Sequence, residues 1–150
     1  MTELALNLAT TRGSWDLAQA IDGCQRHGIN VISPWRDQLE PLGLAESARL
    51  IRASGITVSS LCRGGMFPAS TPAERQAAID DNRRAIAEAA AIGAQTLVLV
   101  VGTLPANSRD LPASRAMVAD GIAAIVDDAR AASVTLGIEP LHPMYAGDRA

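Results

Sequence analysis

The sequence predicts an α/β protein built on a parallel sheet, and three observations carry that prediction. Short apolar runs of strand length alternate with longer stretches whose apolar residues recur at helical spacing. The helix-to-strand junctions repeat one chemistry: His27-Gly28-Ile29, Ser54-Gly55-Ile56, Ile92-Gly93-Ala94 and Ala132-Ser133-Val134, set 27, 38 and 40 residues apart. That spacing matches successive βα units, and glycine just past a helix takes the left-handed cap conformation without strain. Leu97-Val98-Leu99-Val100-Val101 is continuously apolar, as a parallel strand covered on both faces must be.

Taken in order, the strands are expected at Leu4–Leu8, Asn30–Ser33, Thr57–Leu61, Thr96–Val101 and Thr135–Ile138. Between them fall four amphipathic helices. Leu17, Ile21 and Cys24 stripe the first, and Leu44, Ala48 and Ile51 the second. The third opens on Thr71-Pro72-Ala73-Glu74, a capping box with proline at the first helical position. Val118, Ile122, Ile125 and Ala129 mark the fourth. Two architectures accommodate four βα units and a fifth parallel strand: an open doubly wound sheet, or the first five strands of a (β/α)₈ barrel. No glycine-rich dinucleotide turn follows the first strand, where Asn7-Leu8-Ala9-Thr10-Thr11-Arg12-Gly13 is polar instead. Polar and aromatic residues after every strand favour the barrel, whose loops surround one site.

Composition narrows the function. Hydrophobic residues make up 48% and charged residues 19%, which suits a globular chain rather than a disordered one. All 13 basic residues are arginine, so lysine Schiff-base chemistry and a Walker A lysine are excluded within this sequence. A net charge of −3 lacks the basic stripe that nucleic acid requires. No apolar run reaches transmembrane length and the start has no basic leader region, so no membrane partner is expected and the cytoplasm is the default location. Cys24 and Cys62 are too far apart in sequence for a CxxC motif and read as buried thiols, although Arg63 beside Cys62 could lower its pKa.

The strand ends collect the chemistry: Asn7; Ser33-Pro34-Trp35-Arg36; Cys62-Arg63-Gly64-Gly65; Gly102-Thr103; and Glu139 with His142. A parallel sheet brings all of these to its carboxyl edge. Glu139 closes an apolar strand, so its carboxylate calls for a metal, an arginine or hydrogen bonds. Trp35 offers an aromatic face to a sugar or a cover for the barrel mouth. Arg63 offers a guanidinium for a phosphate or carboxylate, beside glycines that permit close approach, or else is an exposed loop arginine. His142 could bind substrate or metal, though a lone loop histidine is usually a solvated group. Asp80-Asp81 and Asp127-Asp128 read as solvated helix faces, His27 as a helix-terminal cation and Trp15 as a packing residue.

Glu139-Pro140-Leu141-His142-Pro143 on a fifth strand, Ser33-Pro34-Trp35 after the second and Arg63-Gly64-Gly65 after the third together resemble the xylose isomerase-like TIM-barrel superfamily. The closest likeness is to its sugar phosphate isomerase/epimerase branch. The resemblance implies a metal-assisted isomerase or epimerase of a small sugar, sugar phosphate or hydroxy-ketone. In that family the glutamate ending strand five binds a divalent metal (Mn²⁺, Mg²⁺, Co²⁺ or Zn²⁺) and, in the epimerases, shuttles a proton. Glu139 would inherit both roles, with Trp35, Arg63 and His142 lining the substrate pocket. The family's remaining ligands, an aspartate, a histidine and a second glutamate, come from strands six to eight.

A complete barrel takes about 250 residues, whereas this chain has 150. It is therefore expected to form one partial barrel domain over residues 1–150, weak in metal binding alone and prone to self-association through open sheet edges. Alternative readings are a half-barrel without activity of its own, a dehydratase using similar enolate chemistry, or a metal-dependent endonuclease, which the acidic charge disfavours.

Overall fold

The computed structural model describes residues 4–139. Their order is β1 (Ala5–Asn7), a 3-10 turn (Leu8–Thr10), α1 (Leu17–Arg26), β2 (Val31–Ser33), α2 (Arg36–Leu39), α3 (Leu44–Ser54), β3 (Thr57–Val58), β4 (Ser60–Gly65), α4 (Pro72–Ala91), β5 (Thr96–Val100), α5 (Leu111–Ala131) and β6 (Thr135–Glu139). The four expected helices are α1, α3, α4 and α5. Thr71 caps α4 reciprocally with Glu74, and Pro72 occupies its first turn, as the sequence pattern requires.

All strand pairings are parallel, in two three-stranded sheets ordered β1-β2-β3 and β4-β5-β6. The sheets are joined beside β2. Ser59 N–H donates to the Ile32 carbonyl at 3.0 Å, Cys62 N–H donates to Pro34 at 3.0 Å, and Trp35 bridges Cys62. β3 and β4 are thus two halves of the expected third strand, broken at Ser59. Strand positions follow one another in sequence order without the reversal that defines a doubly wound sheet. The chain is an unclosed part of a TIM barrel.

Side-chain alternation sorts the layers. Ile32, Val58, Leu61, Leu97 and Leu99 point outward into the core beneath the helices, joined there by Leu17, Ile21, Ile51, Ile86 and Ile125. Each such residue contributes about 1.5–3 kcal/mol by leaving water. The opposite face carries Asn7, Ser33, Ser60, Cys62, Val98 and Gly137, which bound an open cleft.

Three local features depart from the sequence reading. The stretch Arg63-Gly64-Gly65 was expected as a loop but completes β4. The register with β5 shifts between Cys62 and Gly64, making Arg63 the extra residue of a bulge. The stretch after Trp35, for which the sequence pattern marks no helix, forms α2. There Arg36 grips Asp81 at 2.9 and 3.1 Å and Glu88 at 2.6 and 3.1 Å, tying α2 to α4. Asp81 is therefore half-buried and ion-paired, not part of a freely solvated face. Glu88 and then Asp81 hold the Arg36 guanidinium firmly charged, while Arg36 holds the Asp81 carboxyl below its ordinary range.

The bulge is stabilised by Asn82 of α4, which is 0% exposed. Its Oδ1 accepts from Gly65 N–H at 2.6 Å, and its Nδ2 donates to the carbonyls of Gly65 at 2.8 Å and Ala78 at 2.9 Å. Both glycines are required. A Cβ at Gly64 would stand 2.5 Å from Asn82 Oδ1, and one at Gly65 (φ +96°) would stand 1.9 Å from the Val100 carbonyl oxygen. Asn82→Ala would orphan two buried backbone groups, and urea denaturation should show a loss of about 2–4 kcal/mol. Asp22→Ala, which removes only the exposed partner of Arg26, should leave stability unchanged.

Candidate active site

The inward face of the strands ends in a cleft of about 380 Å³ at the carboxyl edge. TIM barrel interiors are usually filled by bulky branched side chains. Here the inward positions are mostly small or polar, with Val98 the apolar exception, and they face open space because the barrel is unclosed.

Glu139, the last residue of β6, lines this cleft. Its register opposite Val100 continues the pairing of Gly137 with Val98, so Gly137 and Glu139 share one face. Glu139 itself is exposed. Across the cleft, the Ser33 and Ser60 hydroxyls lie 2.6 Å apart in a shared hydrogen bond. Ser33 also bonds the Cys62 thiol. Asn7 stands beside them at the end of β1, in register with Ser33.

Cys62 reports the electrostatics of the cleft. Burial pushes its thiol up; the Ser33 hydrogen bond opposes this, the Glu139 carboxylate adds to it, and Arg12 and Arg63 oppose it. The sequence left open a lowered pKa beside Arg63, but burial dominates and keeps the thiol protonated. Cys24 is likewise buried with a raised pKa, as expected of a packing thiol.

Trp35 and Arg63 do not themselves line the cleft. Trp35 is half-buried, its Nε1 donating to Asn7 Oδ1 at 2.9 Å, with the Arg12 guanidinium 4.4 Å above its ring. Arg12 in turn pairs with Asp37 at 3.1 Å. Arg63 is exposed at the bulge, its Nη1 3.3 Å from Met66 Sδ. His142 lies outside the described residues. The sequence reading missed Ser60 and Asn82. Asn82 could have been found, because it interrupts an otherwise small apolar stripe of Ala78, Ala85 and Ala89.

A divalent metal requires several anionic or imidazole donors. Among the described residues, no three of His, Cys, Asp or Glu gather to hold one. The cleft offers one carboxylate, a protonated thiol and neutral hydroxyls, which do not make a metal site by themselves. No helix among the described residues is long and apolar enough to cross a membrane.

Parallel βα units in barrel order, with an acid at the carboxyl end of a strand, define part of a TIM barrel, the fold whose sites sit at that edge. The family model of the xylose isomerase-like TIM barrel matches residues 18–149, and the chain belongs to that family. No curated protein matches it. Among solved structures, protein SMc04130 from Sinorhizobium meliloti 1021 is 56% identical with a TM-score of 0.94, over 98% of this chain and 54% of that one. A D-psicose 3-epimerase crystallised with D-fructose is 17% identical, with a TM-score of 0.77 over 94% of this chain and 53% of that one. IolI, crystallised with a zinc atom, is also 17% identical, with a TM-score of 0.78 over 91% and 51%. At such low identity the last two show the fold alone. The chain spans about half the length of each of these structures.

A raised thiol pKa has two measurable consequences. In a Cys24→Ala background, Cys62 should alkylate more slowly than free cysteine at neutral pH and accelerate only above the pH range in which free cysteine titrates. The folded state holds this proton more tightly than the unfolded chain, so the associated stability is present below the ordinary thiol range. It is lost as pH rises through the folded pKa. Rapid alkylation at pH 7 would contradict the burial described.

Proposed function

We propose that this chain supplies the first five strand positions of a barrel that isomerises or epimerises a small sugar or hydroxy-ketone. The observation that carries this reading is Glu139, a carboxylate at the end of β6, facing hydroxyl and amide groups across a cleft. Membership of the family, and the likeness in fold to a D-psicose 3-epimerase, support the substrate class.

In this reading Glu139 acts as general base. Its Oε takes the hydrogen on the carbon next to the substrate carbonyl, leaving an enediolate whose charge the cleft's donors offset. Returning that proton to the neighbouring carbon, while the hydroxyl proton passes to the former carbonyl oxygen, interconverts ketose and aldose. Delivering a proton to the opposite face of the same carbon gives the epimer, and calls for a second acid, which is not among the described residues of the cleft. The zinc in IolI suggests metal dependence, which here rests on ligands additional to Glu139. His142 and Arg63 remain proposed substrate neighbours, and Trp35 is proposed to shape the pocket from beside the cleft.

The test is a fusion of this chain to the C-terminal half of the Sinorhizobium meliloti relative, assayed for ketose interconversion with Mn²⁺ or Mg²⁺. Glu139→Gln should reduce kcat by about 10²–10⁴ while leaving the fold intact. Undiminished turnover by the variant would remove Glu139 from the chemistry.

Self-association belongs to the same proposal. Among the described residues β1 and β6 each pair on one side only, and Ile138 on β6 is 59% exposed. Such edges recruit other strands, so sedimentation of the isolated chain should show oligomers, and a clean monomer would argue against it.

A further inference from the structure

We infer that Asn7 is a ligand-binding residue of the cleft, donating from Nδ2 to an oxygen of a polyhydroxylated ligand, and that Trp35 is the positioning residue that fixes this donor. The ligand class rests on the sugar reading above.

Hydrogen-bond chemistry determines how the Asn7 amide is turned. Asn7 Oδ1 receives the backbone N–H of Ala9 at 3.0 Å and the indole N–H of Trp35 at 2.9 Å. Both partners can only donate, so the oxygen must face them and the NH₂ group must face the other way. That NH₂ has no partner among the described residues, and Asn7 borders the cleft. Asn7 is exposed, so this NH₂, turned away from Ala9 and Trp35, is open to a ligand entering the cleft.

The support behind Asn7 holds it in place. The Trp35 ring is covered by Arg12 at 4.4 Å, and Arg12 is held by Asp37 of α2. Gln38, also on α2, accepts from Trp35 N–H at 3.0 Å and donates to the Leu8 carbonyl at 3.3 Å, bracing the turn that follows Asn7. A tryptophan bound in this way acts through Asn7 rather than as a stacking platform.

Proton counting gives the ligand chemistry. The Ser33 and Ser60 hydroxyls share one proton between them and Ser33 also bonds the Cys62 thiol, so what the pair offers a ligand is unused lone pairs. An N–H₂ donor beside a hydroxyl pair, with a carboxylate across the cleft, presents donors and acceptors in alternation. That arrangement suits adjacent hydroxyl and carbonyl oxygens.

The test reads binding, so its failure is separable from failure of the proposed turnover. ¹⁵N-labelled chain is titrated with D-fructose while the side-chain amide pair of Asn7, identified by its loss in Asn7→Asp and in Asn7→Ser, is followed by NMR. The pair should shift saturably. Asn7→Asp, which keeps an acceptor for Trp35 and Ala9 but removes the donors, should weaken affinity about tenfold or more. Trp35→Phe should weaken it in the wild-type background and add nothing in Asn7→Asp, the signature of action through Asn7. Should Asn7→Asp fail to fold, Asn7→Ser with the wild-type amide shift decides. An unmoved Asn7 pair, or additive losses in the double variant, would overturn the inference.

Discussion

Leu97 and Leu99 are both 0% exposed, and their burial under the helices decides which face of β5 looks inward. Through the parallel register that decision passes to β6, where Gly137 pairs with Val98 and Glu139 with Val100. Side chains alternate with a period of two, so slipping β6 by one residue would turn the Glu139 side chain away from the inward face. The apolar outer face therefore aims the acid. The packing that stabilises the fold and the geometry that presents its chemistry are consequences of one constraint.

The same logic explains why the interior is polar. Its residues take no part in the outward layer, and most are small or polar: Asn7, Ser33, Ser60, Cys62 and Gly137, beside the apolar Val98. Where the alternation breaks, at the Arg63 bulge, the ladder hydrogen bonds are replaced by Asn82 reaching in from α4. A buried amide that satisfies both backbone groups of Gly65 does what a strand partner would otherwise do.

Much of the fold was legible because it is written in periodicity. The βα units, the capping box at Thr71 and the buried stripes of α1, α3, α4 and α5 follow from local pattern. Gly64-Gly65 misled, because a glycine pair reads as a loop while here it admits close approach of Val100 and Asn82. Helix α2 spans too few residues to show a period. Glu139 was legible as a strand-end acid, whereas Trp35's action through Asn7 was not. No spacing rule announces a hydrogen bond between residues from the ends of two strands. Asp81 was misread for a similar reason, since its partner Arg36 lies 45 residues away.

The central claim is that Glu139 faces the same cleft as Cys62, and the thiol can report on it. The Glu139 charge raises the Cys62 pKa. In a Cys24→Ala background, the pH profile of Cys62 alkylation should be compared between the native chain and Glu139→Gln. Removing the carboxylate charge should move the profile to lower pH. A profile that stays in place or moves upward would show that Glu139 does not share the cleft.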